Sequence, residues 1–363
     1  MTATSNMNHA CLALIALVCG IVGAVALSAA PKDLKGPVEE GIWIRPSNEQ
    51  PAEPIIGFKD GIRIGLWPTG GPRGLIRIFT PYVFPAGQRS LINFIAVEPI
   101  VSGGRGYSEM ERSALDGVQG KRFWFADDLS RPPAPAQPWE TVRGKLGRFR
   151  AEGKEIETLS IVVDMEKLDN GAHPRVMVTF RADRPNEIGL RVYSAKDGEP
   201  MESCVLTATM GNYSRARKLW LRDEIVESNR VWPDYEGHDF LGHDQYRSDR
   251  LLRLTDGSLI AAVTPNESDL AAVEVSPGWW AFKGKVATQY WRKYPGDAQP
   301  DLRVNVNGRA RYYGTNTLIP GGVSFENFEL IESFKPGLET WFGVTLKTPN
   351  ELGWKTEARH RPQ

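Results

Sequence analysis

What most limits the fold of this chain is a long succession of short apolar runs, each closed by a turn signal. They begin at 62–67 (IRIGLW), 74–80 (GLIRIFT) and 91–101 (LINFIAVEPIV), and continue at 158–164, 175–181, 187–193 and 203–210. The second half adds 251–254, 259–264, 271–275, 279–285, 286–292, 302–306 and 310–313. Asp60-Gly61, Asn170-Gly171, Asp197-Gly198, Asp256-Gly257 and Asn307-Gly308 punctuate them, and the last reads as the clearest hairpin, between VNV and RARYY. The helical period is confined to two short candidates, 108–115 and 216–228. No internal repeat of fixed period is present, which argues against a propeller. The pattern predicts an all-β chain, a large two-layer antiparallel β-sandwich.

A chain of 363 residues is long enough for two or three domains, yet sandwiches of this size occur as one. We expect a single domain over 51–346, preceded by a linker at 31–50 and followed by a tail at 347–363. The segment RPPAPAQPW at 131–139 reads as a rigid surface connection. Residues 1–30 read as a targeting segment: the run 11–27 is uninterruptedly apolar, and Ala26-Leu27-Ser28 fits a cleavage site. The region before the run has no Lys or Arg, while Lys32 and Lys35 follow it, so an uncleaved anchor is the alternative. Either way the body is expected outside the cytoplasm, secreted or periplasmic, meeting a membrane only through that segment. Basic and acidic residues balance at 44 each, which argues against nucleic acid as a partner. Cys204 is the one cysteine beyond the leader, so the fold rests on its core and not on a disulfide.

The segment 319–345 (IPGGVSFENFELIESFKPGLETWFGVT) reads as two strands joined by a turn at Lys335-Pro336-Gly337. Its apolar positions run Val323, Phe325, then change phase to Phe328 and Leu330, which predicts a bulge near Glu326-Asn327. Ser324, Glu326 and Glu329 then share the face opposite the apolar set. Two carboxylates on one strand face suit acid–base chemistry or sugar hydroxyls; a solvated strand face is the plainer alternative.

Three loops concentrate polar chemistry. GGRGYSEMERSALDG at 103–117 crowds Arg105, Tyr107 and Glu109 behind a strand, where Arg and Tyr together can bind a carboxylate and carry a proton. GGPRGLIR at 70–77 puts Arg73 at a turn, as a binding or turn-capping residue; it lacks the Gly-Lys-Ser/Thr of a phosphate loop. The stretch 232–250 repeats His-Asp at His238 and His243, a spacing that fits no zinc motif but suits a general acid or base. No metal or cofactor is expected. Trp280, Trp291, Arg292 and Arg311 lie in aromatic–basic clusters, and alternation sends Tyr290 and Trp291 to opposite faces. With Arg73, Glu109 and Asn327 they are the candidate ligand contacts, since a sugar ring offers an apolar face and a polar rim.

The strand inventory and the 319–345 segment together resemble the galactose mutarotase-like supersandwich, over roughly 51–346. The resemblance implies a catalytic Glu on a late strand, matched here by Glu326 or Glu329 in FENFELIESFKPG, and an opposing His from mid-chain, matched by His238 or His243. Through GPRGLIRI, INFIAVEP, GRGYSE and ATMGNYSRARKLWL the chain is also similar to secreted bacterial proteins of unassigned activity. The expected function is that of an exported carbohydrate-binding, carbohydrate-active protein. One alternative is a lyase on a uronate glycan, with Arg105 or Arg73 neutralising the carboxylate and Tyr107 or a His removing the proton. The other is a non-catalytic envelope protein that binds carbohydrate or is purely structural.

Overall fold

Alternating inward and outward side chains resolve into two antiparallel sheets that face each other across one core. The computed structural model describes residues 36–47, 54–67, 72–88, 90–133, 142–209, 211, 213–267 and 282–356, and Lys35–Gln363 form one compact unit. Residues 1–30, residues 134–139 of the Pro-rich segment, the 271–275 run and Trp280 lie outside the described residues.

The first sheet runs, in spatial order, Val38–Glu40, Trp43–Arg45, Ile55–Phe58, Arg63–Gly65, Leu75–Phe79, Leu91–Val101, Ser203–Thr209, Ser324–Ile331, Arg303–Arg309 and Asp244–Arg247. A two-residue strand, Gly104–Arg105, folds back on the end of Leu91–Val101. The second sheet runs Ile225–Glu227, Lys218–Trp220, Leu259–Thr264, Thr288–Lys293, Glu339–Thr345, Glu187–Ser194, Pro174–Arg181, Lys154–Met165 and Phe123–Ala126, with Leu252–Arg253 and Lys145–Ala151 pairing at its sides. The one α-helix among the described residues is Ser228–Val231. The all-β sandwich follows from the sequence as expected.

Between the sheets pack Ile56, Ile78, Val97, Leu206, Val304 and Phe328 from one side and Val163, Val178, Leu190, Val263, Trp291 and Phe342 from the other. Polar groups caught in this layer are paired, as burial demands. Asn93 donates across the sheets to Gln289 at 2.7 Å. The Trp291 indole N–H donates to the Phe328 carbonyl at 2.9 Å.

Several local expectations fail, most of them for reasons of long-range pairing. The two strands of 319–345 exist, but they are not a hairpin: Ser324–Ile331 belongs to the first sheet and Glu339–Thr345 to the second. The turn, with Gly337 at φ 79°, therefore crosses from one layer to the other. Asn307-Gly308 is no turn; it lies inside the continuous strand Arg303–Arg309. Gly is required there by packing, since a Cβ would stand 2.8 Å from Val323 and 2.9 Å from the Trp232 ring. Of the two short helical candidates, 108–115 is a series of turns and 216–228 carries two short strands. The segment 31–50, read as a linker, contributes two strands of the first sheet and buries Trp43; the tail buries Trp354 against Tyr290.

The expected bulge is present. Asn307 pairs with Asn327 and Gly308 with Phe325, which leaves Glu326 as the extra residue. It shifts the strand's phase so that Phe325 and Phe328 both enter the core.

Candidate functional site

Cross-strand neighbours share a face and lie side by side. On the outer face of the first sheet, Ala96, Thr207, Glu329 and Asn305 form one such row across four strands, and Phe94, Thr209, Asn327 and Asn307 form the next. Glu98, one outward position beyond Ala96, leans over Thr207, whose hydroxyl lies 3.1 Å from Glu98 and 3.3 Å from Glu329. A polar strip therefore occupies the middle of a sheet whose other face is apolar.

Two connections bring charge onto this strip. The fold-back at Gly104–Arg105 swings the Arg105 guanidinium over it, where one nitrogen donates to both Glu98 and Glu329, the latter at 2.6 Å. The Tyr107 ring lies 5.6 Å from the guanidinium and is exposed at the mouth. From the opposite edge, His243, just before the Asp244–Arg247 strand, places Nε2 3.2 Å from Glu329 Oε1. Asn305 donates to the other Glu329 oxygen at 3.4 Å. Glu329 is fully buried, whereas the His243 side chain keeps 32% of its surface in solvent.

Burial of three carboxyl groups around one guanidinium drives their titration apart. Burial pushes Glu98 well above the usual carboxylate range, and the nearby Glu109 adds to it, outweighing Arg105. Burial likewise lifts Glu109 to about 7 against the pull of its own backbone amide and Arg105. For Glu329 burial acts upward too, but the His243 hydrogen bond and Arg105 overcome it and hold the group below its ordinary value. Arg105, despite burial, is held firmly protonated by Glu98 and Glu329. The cluster thus sets a Glu98 that holds its proton beyond the usual carboxylate range beside an ionised Glu329 and a cationic Arg105. His243 Nε2 faces the ionised Glu329, and among the described residues Nδ1 has no hydrogen-bond partner.

Five of the residues singled out in the sequence meet here: Glu329, His243, Arg105, Tyr107 and Glu109. Asn327 lies on the same face two positions along its strand and accepts from Thr209 at 2.6 Å. Others are elsewhere. Glu326, buried at the bulge, and His238, exposed, belong with Arg309 further along, where the His238 carbonyl accepts from Arg309 at 3.4 Å. Arg311 donates to the Glu236 carbonyl at 2.8 Å and fixes that loop. Arg73 is buried, paired with Asp116 at 2.9 Å and stacked 4.8 Å from Trp67, so it clamps the 103–117 loop and is closed to a ligand.

Trp291 is wholly buried in the core and Arg292 lies on the outer face of the second sheet against Glu187, so neither is a ligand contact at this site. Glu98, Thr207 and Asn305 are the members the sequence reading missed. A Glu inside the apolar run LINFIAVEP was the available signal, because Glu is rarely buried without a partner. Among the described residues no group of three or more His, Cys, Asp or Glu is placed to hold a metal ion.

No family model matches this chain, and no curated protein matches it. Among solved structures, it is similar to the galactosidase domain of the alpha-galactosidase–sucrose kinase AgaSK, with a TM-score of 0.33 and 10% identity over 87% of this chain. The chain spans 43% of that structure's length.

Proposed function

We propose that the outer face of the first sheet is the carbohydrate-binding face of an exported, galactose mutarotase-like protein, with His243 exchanging a proton with a bound sugar. The observation that carries this reading is the 3.2 Å contact between His243, from mid-chain, and Glu329, from a late strand. Glu329 is buried and ionised, so its part is to orient and charge-balance the imidazole; the exposed His243 is the group a substrate can touch. The remaining lining suits a sugar, with amide and hydroxyl groups for its rim and the exposed Tyr107 ring for its C–H face. A neutral sugar is favoured over a uronate because the Arg105 charge is already matched by the ionised Glu329. Anomers would interconvert if His243 takes the O1 proton as the C1–O5 bond breaks and O5 gains a proton from water; rotation about C1–C2 and reclosure reverse both transfers.

Titration calorimetry with the purified protein against neutral and uronate saccharides tests the binding. We expect neutral saccharides to bind and His243→Ala to lose proton transfer, read by polarimetry of freshly dissolved sugars. Failure of every saccharide to bind refutes the reading. Binding without faster anomer interconversion supports instead a non-catalytic binding protein, a second reading favoured by the complete burial of Glu329. Export is tested by finding the protein in the extracytoplasmic fraction.

A further inference from the structure

The polar face does not end at Glu329. Along the Ser324–Ile331 and Arg303–Arg309 strands the next outward pair is Asn327 and Asn307, and beyond it come the unpaired bulge residue Glu326 and then Arg309, which pairs with Ser324. Arg309 is four positions from Asn305, about 13 Å at the usual strand rise. There the guanidinium lies 4.5 Å from the Phe240 ring and 5.1 Å from the Tyr313 ring. Arg309 itself is buried at 7% exposure, yet the two rings it holds are 47% and 39% exposed.

On the neighbouring strand Glu326, whose charge Arg309 senses, is 2% exposed, and its Oε2 has no hydrogen-bond partner among the described residues. A bulge that served the fold alone would require neither exposed rings on Arg309 nor a buried acceptor left open. The loop bearing Phe240 is tied to the same strand, Leu241 N–H donating to the Gly308 carbonyl at 3.0 Å. That loop continues to His243, so one segment flanks the face from Phe240 to the Glu329 cluster.

We infer that Phe240, Arg309 and Tyr313 form a second sugar subsite, so that the ligand is an oligosaccharide or glycan chain lying along the face, not a monosaccharide. The inference rests on the carbohydrate reading above and adds its length. The distal sugar stacks its C–H face on Phe240 or Tyr313, while Asn327 and Asn307 meet hydroxyls of the unit between the two ends. Glu326 Oε2, on the neighbouring strand, is the open acceptor in this region for a sugar hydroxyl.

The test is calorimetry of the whole protein with gluco-, galacto- and manno-oligosaccharides of increasing length, starting from the monosaccharide. Wild type should bind the longer members of one series more tightly. Phe240→Ala and Tyr313→Ala should each remove about three- to tenfold of that gain and leave monosaccharide affinity unchanged. Both rings are exposed, so unchanged circular dichroism and unfolding midpoints keep the comparison clean. Length-independent binding that His243→Ala weakens overturns this inference and leaves the carbohydrate face standing. Equal losses for monosaccharide and oligosaccharide in the ring variants also overturn it, and no binding by any series overturns both.

Discussion

Replacing Glu326 by Gln should make the protein more stable at alkaline pH and leave it unchanged in acid. Burial lifts the Glu326 carboxyl from its usual 4.5 to about 7, with Arg309 opposing only in part. A carboxyl whose folded value is raised binds more protons folded than unfolded over the interval between the two. Stability is therefore full below about 4.5 and is lost as pH climbs to about 7. The interval between those two values, at about 1.36 kcal/mol for each pH unit, amounts to roughly 3 kcal/mol. Gln keeps the shape and cannot ionise, so the variant escapes that loss. Urea unfolding of both proteins from pH 4 to pH 9 should show curves that coincide at the acid end. They should separate through neutrality and run parallel above about pH 8 by roughly 3 kcal/mol. A difference that is flat with pH, or a variant that is less stable at every pH, would refute the electrostatic account of the bulge.

Arg105→Met strips two buried carboxyls of their shared cation and should cost about 3–5 kcal/mol at pH 7. Glu329, held low in the wild type, contributes stability that is present above its unfolded value and lost on acidification. The gap between Arg105→Met and wild type should accordingly narrow as pH falls below about 4.5, which unfolding at pH 3 and pH 6 measures. Trp291→Phe leaves the Phe328 carbonyl without its cross-sheet donor and should cost about 1–3 kcal/mol in the same assay. Gly74→Ala would put a Cβ 1.9 Å from the Ser108 carbonyl at a φ of 70°. It should displace the loop that carries Arg105 and Tyr107, lowering saccharide affinity while far-ultraviolet circular dichroism stays that of a β protein.

The parts of this fold that could be read from sequence are those set by a few consecutive residues. The phase change in VSFENFEL marks the bulge at Glu326, because period two cannot otherwise put Phe325 and Phe328 on one face. Pairing partners are another matter. Lys335-Pro336-Gly337 makes a turn whichever strand comes next, and only packing of distant residues sends Glu339–Thr345 into the other sheet. Asn307-Gly308 misleads for the same reason, its glycine answering to Trp232 and not to a hairpin. At the site, Glu329, His243 and Arg105 stood out as charges in polar loops or on an alternating strand. Glu98 was hidden because its neighbours are apolar and its partners are remote: Thr207 is 109 positions away in the chain.

That remoteness has a consequence for folding. Glu98, Thr207, Asn305 and Glu329 come from four strands spread over most of the chain, brought into neighbouring positions only when the first sheet is complete. No contiguous fragment short of that span contains the site, and contacts of such long sequence separation form slowly. Recovery of saccharide binding during refolding should therefore lag behind the recovery of β structure, so that binding reports closure of the whole sheet.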